Sequence, residues 1–413
     1  MKRVEPSSVA GTVTLPASKS MLQRAIFAAA LARGQSELSN PSDCDDAEVA
    51  LAAIQVLGAK VQVGDTLVIT GGGAPADTTL NCGESGLSMR MLCALASHFE
   101  QQFQIIGRGS LTSRPIDMIE EPLVTLGVEV QTAGGFLPVT VKGPIKGGKL
   151  SIDGSITSQF LTGLLMTLPL CEEDSELTVQ NLASKPYVIM TIELLADFGI
   201  QVECDQRMEI FNIQGRQHYQ ARPYAVEGDW SSAAFMAVAA AIAGTVTLKG
   251  LKPQSAQADR AILEVLEQVG AQVEVSSEDI HIEKGILHAF QFDASDCPDL
   301  FPILATLACN CEGKSTIAGV NRLKHKESDR ALAIAEEFTK LGAVIVIDND
   351  LMQIEGRRLK GGTVDSHNDH RIAMATAIAA LNSTEGISIE RAAAVSKSYP
   401  SFFEDLTLIM ENV

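Results

Sequence analysis

Apolar and polar positions along this chain return in one arrangement at a nearly fixed interval. A helix-like amphipathic run closes on an apolar residue and a glycine, and a β-branched alternation follows. The copies are Leu57-Gly58-Ala59-Lys60-Val61, Leu126-Gly127-Val128-Glu129-Val130, Phe198-Gly199-Ile200-Gln201-Val202, Val269-Gly270-Ala271-Gln272-Val273 and Leu341-Gly342-Ala343-Val344-Ile345. Their glycines are spaced by 69, 72, 71 and 72 residues. A fixed period of this kind marks a repeated supersecondary unit. Each glycine reads as the residue just past a helix, where a left-handed backbone is easy only without a Cβ. The alternation after it predicts a hairpin, with turns at Gly64-Asp65 and near Gly134-Gly135, Asp205-Gln206, Ser277-Glu278 and Asn349-Asp350.

A second element recurs between these copies. It is a helix rich in small apolar residues with a polar or charged start, read at Ser18–Leu31, Ser85–Ser97, Ser158–Leu168, Ser231–Ala243, Asp299–Cys309 and Asp369–Leu381. Apolar residues on most faces of a helix imply burial. A short strand follows each, so the unit reads as buried helix, strand, amphipathic helix, hairpin. Six units suit an α/β chain of two lobes with three repeats each. The sixth amphipathic helix has no hairpin after it, and Lys2-Arg3-Val4 with Gly11–Leu15 offers one at the N-terminus. The expected lobes are therefore residues 16–225, and residues 1–15 together with 226–413. The chain would cross between them near Leu15-Pro16 and near Tyr224-Ala225-Val226.

Composition narrows the class. The chain has 413 residues, of which 46% are hydrophobic, enough for two sizeable cores. Its longest apolar runs, such as Ala233–Ala243, are too short to span a bilayer. No apolar stretch follows Met1-Lys2-Arg3, so no secretory signal is expected. The eight cysteines are scattered, and only Cys309 and Cys311 lie close, at a spacing that is not a zinc pattern. Reduced thiols in a cytoplasmic protein are expected. The net charge of −19 argues against a duplex nucleic-acid partner, which requires basic surface. Small anionic substrates remain open where cations are gathered locally.

They are gathered at the starts of the buried helices. Lys19 and Arg24 open the first, Arg90 stands just inside the second, and Arg371 opens the sixth. A helix N-terminus disfavours cations by roughly 0.3–1 kcal/mol. Its free N–H groups and positive dipole end attract phosphate or carboxylate, so an anion would reconcile the two. Pseudo-symmetry would aim three such ends from each lobe at one interlobe cleft. Further polar runs are Ser110–Pro115, Ser184-Lys185-Pro186-Tyr187 and Lys324-His325-Lys326-Glu327-Ser328-Asp329-Arg330.

At these residues the sequence resembles the 5-enolpyruvylshikimate-3-phosphate synthase family. The resemblance is carried in order by Ser18-Lys19-Ser20 with Arg24, Gly86 with Arg90, Arg114-Pro115, Ser158-Gln159-Phe160-Leu161, Ser184–Tyr187, Glu227-Gly228-Asp229, Pro298-Asp299, Lys326–Arg330, Asn368-Asp369-His370-Arg371 and Lys397-Ser398-Tyr399-Pro400. It implies two lobes of three βαβαββ units. It also implies transfer of the enolpyruvyl group of phosphoenolpyruvate to the 5-hydroxyl of shikimate 3-phosphate, with no metal or organic cofactor; a monomer is expected. By motif position it implies shikimate 3-phosphate contacts at Lys19, Ser20, Arg24, Thr157, Ser158, Gln159, Ser184, Tyr187, Asp299 and Lys326. Phosphoenolpyruvate contacts are implied at Lys19, Gly86, Arg114, Gln159, Arg330, Arg371 and Lys397. Asp299 would be the base on the hydroxyl, Glu327 would deliver and remove the methyl proton, and Lys19 would serve the departing phosphate. His370 would shuttle a proton or make a structural hydrogen bond.

Three positions depart from the family pattern. Glu84-Ser85-Gly86-Leu87 replaces Asn-Ala-Gly-Thr, Thr157 replaces a serine, and Arg322 replaces an asparagine before Lys326. The competing readings are the UDP-N-acetylglucosamine enolpyruvyl transferases, which share the fold, and a non-catalytic repeat protein that binds sugar phosphates. The first typically has Lys-Asn where this chain has Lys19-Ser20, and a cysteine where Gly107–Ser113 has none.

Overall fold

The five glycines of the repeat all take positive φ, at Gly58 (98°), Gly127 (85°), Gly199 (81°), Gly270 (102°) and Gly342 (88°). Each ends a helix and turns the chain into the predicted hairpin. The computed structural model describes residues 1–324 and 326–411. His325 of the basic run, and residues 412–413 of the expected C-terminal lobe, lie outside the described residues.

The chain divides into two units, Lys19–Val226, and Met1–Ser18 with Glu227–Val413. The first holds helices α1 (Lys19–Leu31), α2 (Asp45–Val56), α3 (Gly86–Ala96), α4 (Glu120–Thr125), α5 (Gln159–Thr167) and α6 (Lys185–Asp197). The second holds α7 (Trp230–Ala243), α8 (Ile262–Val269), α9 (Phe301–Cys309), α10 (Arg330–Lys340), α11 (His370–Ala380) and α12 (Phe402–Ile409). The six helices expected to be buried are α1, α3, α5, α7, α9 and α11, and every residue of α3, α9 and α11 is buried. Among the described residues no helix is long and apolar enough to cross a membrane.

Among the described residues, five repeats each build a four-stranded sheet with one parallel and two antiparallel pairs, and the sixth sheet has three strands with one pair of each kind. In the second repeat Thr79–Asn81 runs parallel to Gln102–Ile106, which pairs with Val139–Lys142 and through it with Glu129–Gln131. With α3 and α4 between the strands, this is the βαβαββ order. Alternation puts Leu80, Phe103, Ile105, Val139 and Val141 in the core.

The N-terminal segment corrects one expectation. Lys2–Val4 and Val9–Thr14 do not pair with each other as a hairpin. Lys2–Val4 pairs antiparallel with Ile387–Glu390 in the sixth sheet, whereas Val9–Thr14 runs parallel to Gly244–Lys249 in the fourth. The strands therefore complete two different repeats, the sixth and the fourth. The first repeat has the converse arrangement, its leading strand being Pro223–Ala225, parallel to Gly34–Ser39.

The repeat glycines differ in what surrounds them. A Cβ on Gly270 would stand 2.6 Å from the carbonyl oxygen of Ile286, whereas one on Gly127 would meet only the flexible Lys146 chain, at 3.6 Å or more. Both substitutions force an L-residue to positive φ, and only the first also forces backbone apart. Gly270→Ala is expected to cost about 2–3 kcal/mol and Gly127→Ala about 1 kcal/mol. Denaturant titration of the two variants checks the order.

Candidate active site

In the unit Lys19–Val226 the buried helices bring their N-termini together. A Cβ on Gly163 of α5 would stand 2.9 Å from Met91 Cα of α3, so these helices approach at backbone distance. Gln23 of α1 accepts from Ser85 Oγ and Ser88 Oγ at 3.2 and 3.1 Å, which ties α1 to the start of α3. Arg90 donates to Gln159 Oε1 at 2.8 Å and to the Pro115 carbonyl at 3.0 Å. It thereby orients Gln159 and anchors the segment carrying Arg114. The Arg114 guanidinium lies over Gly86, where an added Cβ would stand 2.8 Å from Nη1.

Two cations of this unit have contrasting partners. Lys19 pairs with Asp46 of α2 at 3.1 Å. Arg24 is 1% exposed, and its hydrogen-bond acceptors are neutral: Thr191 Oγ1 at 2.9 Å, the Ser20 carbonyl at 2.8 Å, and Thr162 Oγ1 and the Tyr187 carbonyl at 3.4 Å. Burial pushes the Arg24 guanidinium down to about 10, so it stays charged at neutral pH. A buried cation with only neutral acceptors favours an anion nearby. Thr157 Oγ1 accepts from the Gln159 amide at 3.1 Å and closes the first turn of α5. Ser184 leads into α6 with φ 59°, a left-handed serine. The carboxylate of Glu84 packs over Gly109, in the space a Cβ there would need.

In the other unit one guanidinium gathers three carboxylates. Arg330, 1% exposed, donates Nε to Asp369 Oδ2 at 2.8 Å, Nη1 to Asp299 Oδ1 at 2.7 Å and Nη2 to Glu327 Oε2 at 2.6 Å. Asp369 also caps α11, accepting from the Arg371 amide at 3.0 Å. Arg371 Nη2 reaches Asp299 Oδ2 at 2.9 Å, and its Nε has no partner among the described residues. Lys326 lies 3.4 Å from Asp299, and Lys397 lies 3.6 Å from Glu327. Burial alone would raise Asp299, but Arg371, Lys326 and Arg330 together hold it well below the usual carboxylate range. Burial pushes Lys326 down despite Asp299, and Arg330 and the departing residue Arg322 push the same way. His370 is 1% exposed, with Nδ1 3.7 Å from Asp369 Oδ1.

The structure thus sorts the expected residues into two groups. Lys19, Ser20, Arg24, Gly86, Arg114, Thr157, Ser158, Gln159, Ser184 and Tyr187 belong to one unit, and Asp299, Lys326, Glu327, Arg330, Arg371 and Lys397 to the other. Sequence reasoning missed the acceptors Asp46, Thr162 and Thr191. It also missed Asp259, a buried carboxyl that accepts from Ser231 Oγ. Burial and the nearby Asp299 push Asp259 up to about 7. The only sequence signal for Asp46 was an acidic first turn on α2, which any amphipathic helix could show.

The profile of the family described as EPSP synthase (3-phosphoshikimate 1-carboxyvinyltransferase) matches residues 4–406. A 3-phosphoshikimate 1-carboxyvinyltransferase of Clostridium novyi is 38% identical over 417 residues, covering 98% of this chain and 96% of its own. One from Thermococcus kodakarensis is 40% identical over 403 residues, covering 98% of both. Among solved structures, EPSP synthase from Acinetobacter baumannii superposes with a TM-score of 0.83 at 27% identity, covering 99% of this chain and 98% of that one. With a matching profile across nearly its whole length and relatives at this identity, the chain belongs to the EPSP synthase family.

Proposed function

We propose that the two groups of residues together carry out enolpyruvyl transfer from phosphoenolpyruvate to the 5-hydroxyl of shikimate 3-phosphate, with release of phosphate. The observation that carries the assignment of roles is the Arg330 cluster. It holds two carboxylates, Asp299 and Glu327, beside cations suited to a phosphorylated carboxylic acid. Ser20, Arg24, Thr157, Ser158, Gln159, Ser184, Tyr187 and Lys326 bind shikimate 3-phosphate, with Lys19 and Asp299 at its reacting side. Lys19, Gly86, Arg114, Gln159, Arg330, Arg371 and Lys397 serve phosphoenolpyruvate. The guanidinium groups suit bidentate binding of carboxylate and phosphate.

The carbon–carbon double bond takes a proton from Glu327 at the methylene while the 5-hydroxyl oxygen bonds to the adjacent carbon. Asp299 accepts the hydroxyl proton. Its low proton affinity means that transfer follows carbon–oxygen bond formation, which makes the hydroxyl strongly acidic. The tetrahedral adduct then returns a methyl proton to Glu327 as the carbon–oxygen bond to phosphate breaks. The proton on Asp299 leaves with the phosphate, whose charge Lys19 offsets. To deliver and take back the methyl proton, Glu327 must sample its neutral form.

We further propose that the chain works as a monomer in the cytoplasm, residues 16–225 and the remainder acting as two lobes. The −19 charge opposes self-association. The eight cysteines are free thiols, with burial pushing Cys44 to about 11 and Cys93 to about 12. Such thiols suit a reducing compartment.

Phosphate release from phosphoenolpyruvate tests the reaction, with shikimate 3-phosphate or UDP-N-acetylglucosamine as acceptor. Dependence on shikimate 3-phosphate supports it, and release only with the nucleotide sugar overturns it. Glu327→Gln is expected to lower kcat by about 10²–10⁴-fold and leave KM for both substrates within about threefold, since the amide keeps an acceptor for Arg330. Near-normal turnover would remove Glu327 from the mechanism. Gly86→Ala should displace the flexible end of Arg114 without strain to the fold. An increase of roughly tenfold in KM for phosphoenolpyruvate is expected, with thermal stability little changed.

A further inference from the structure

The loop Ser366–Asn368 leads directly into Asp369-His370-Arg371, and it is held in an uncommon shape. His367 and Asn368 take φ of 54° and 57°, two consecutive left-handed residues without a glycine. Such backbone persists only where its surroundings over-determine it. Inside the loop, Asp365 Oδ1 accepts from the His367 amide at 2.8 Å, Ser366 Oγ from the Asn368 amide at 3.2 Å, and the Ser366 carbonyl from the Asp369 amide at 2.9 Å. These bonds shape the turn, and the neighbouring strand holds one side of it: Asp365 pairs with Glu390, Arg391 Nε donates to Asp365 Oδ1 at 2.7 Å, and Ser366 Oγ donates to the Arg391 carbonyl at 3.1 Å.

Helix α10 adds two further holds, and these reach the segment that leads into α11. Arg330 in its first turn grips Asp369, and Glu337, about two turns further on, grips the other end of the loop. The Glu337 side chain is fully buried. Its Oε1 takes His367 Nε2 at 2.7 Å, and its Oε2 accepts from the Asp365 amide at 2.9 Å. A carboxylate only accepts, so Nε2 of His367 carries the proton. Lys340 Nζ spans both oxygens at 2.8 and 3.0 Å. Burial would raise Glu337, but the bonds from Lys340, Asp365 and His367 outweigh it and hold the carboxyl below its ordinary range.

Ligand atoms of Glu336, Glu337 and His367 lie within 4.8 Å of one another, as in a metal site. The Lys340 ammonium already supplies the cation there, and Glu336 Oε1 also faces it at 3.1 Å. The cluster is a clamp on a loop.

We propose that Glu337 and His367 are positioning residues for phosphoenolpyruvate binding: by tying the Asp365–Asn368 loop to α10 they set Arg371 against Arg330. This rests on the assignment of those two arginines to phosphoenolpyruvate. Neither Glu337 nor His367 touches substrate. They act through the start of α11, where a shift of about an ångström at a binding group can cost up to about 100-fold in rate.

Two variants of the full chain test it. His367→Asn keeps a residue that tolerates positive φ but is too short to reach Glu337. Glu337→Gln keeps the shape and replaces one acceptor with a donor facing donors. Each is expected to raise KM for phosphoenolpyruvate about tenfold while KM for shikimate 3-phosphate stays within about twofold. Amide hydrogen exchange over residues 365–371 should quicken in both. A lower melting temperature with both KM values unchanged, or a parallel rise in both, would overturn the proposal, because a merely structural role predicts that result. Unchanged exchange would overturn it too, as would stabilisation of the wild type by zinc or manganese that Glu337→Gln abolishes. The exchange measurement needs no turnover. Absence of transfer activity in the wild type would count against the reaction and leave the clamp to be judged by exchange.

Discussion

The second unit is organised around a single guanidinium. Arg330 is nearly inaccessible, yet it meets carboxylates from three separate segments: Glu327 just before α10, Asp299 before α9 and Asp369 at the cap of α11. Charges removed from water are tolerated only when paired with good geometry, and breaking such a pair typically costs about 3–5 kcal/mol. The guanidinium fork can satisfy three acceptors at once because its donors lie in a plane at fixed angles, which an ammonium cannot imitate. The starts of two buried helices are thus registered against each other by ionic bonds. The apolar faces behind them supply most of the cohesion but less of the orientation.

The other unit solves a similar problem with different chemistry. Arg24 is surrounded by hydroxyl and carbonyl oxygens, and Arg90 donates to an amide and a carbonyl. At Arg24 these acceptors satisfy geometry without bringing a carboxylate. In the second unit the cations are largely matched by acids. Arg24 therefore keeps a charge that an anion can meet, whereas Asp299 and Glu327 are carboxylates held in place by cations. This division suits a reaction whose substrates are both polyanions and whose chemistry is proton movement at carbon and oxygen.

Much of this was visible in the sequence, for identifiable reasons. The repeat glycines are legible because a left-handed helix end excludes almost every other residue, and the buried helices because their small apolar residues leave no polar face. The motif residues fell into the two clusters because repeat position fixes which helix end they occupy. The partners were not legible. Nothing local marks Asp46 as the counter-ion of Lys19, or Glu337 as the acceptor for His367, since pairing across distant segments is decided by packing. The N-terminal hairpin was misread for a related reason. Alternation shows that Lys2–Val4 and Val9–Thr14 are strands but cannot choose their neighbours, and the intervening Glu5–Ser8 lets them part into different sheets.

That parting has a consequence for synthesis. Lys19–Val226 is one uninterrupted stretch, and all three of its sheets can close once Pro223–Ala225 has been made. The other unit has no such autonomy. Val9–Thr14 is translated before the whole of Lys19–Val226, yet its parallel partner is Gly244–Lys249, and Lys2–Val4 must wait for Ile387–Glu390. Loop-closure entropy grows only slowly with separation, so the finished pairing is affordable, but it comes late. On the ribosome these two strands therefore emerge before either of their partners has been made. For these two strands the order of manufacture cannot be the order of assembly.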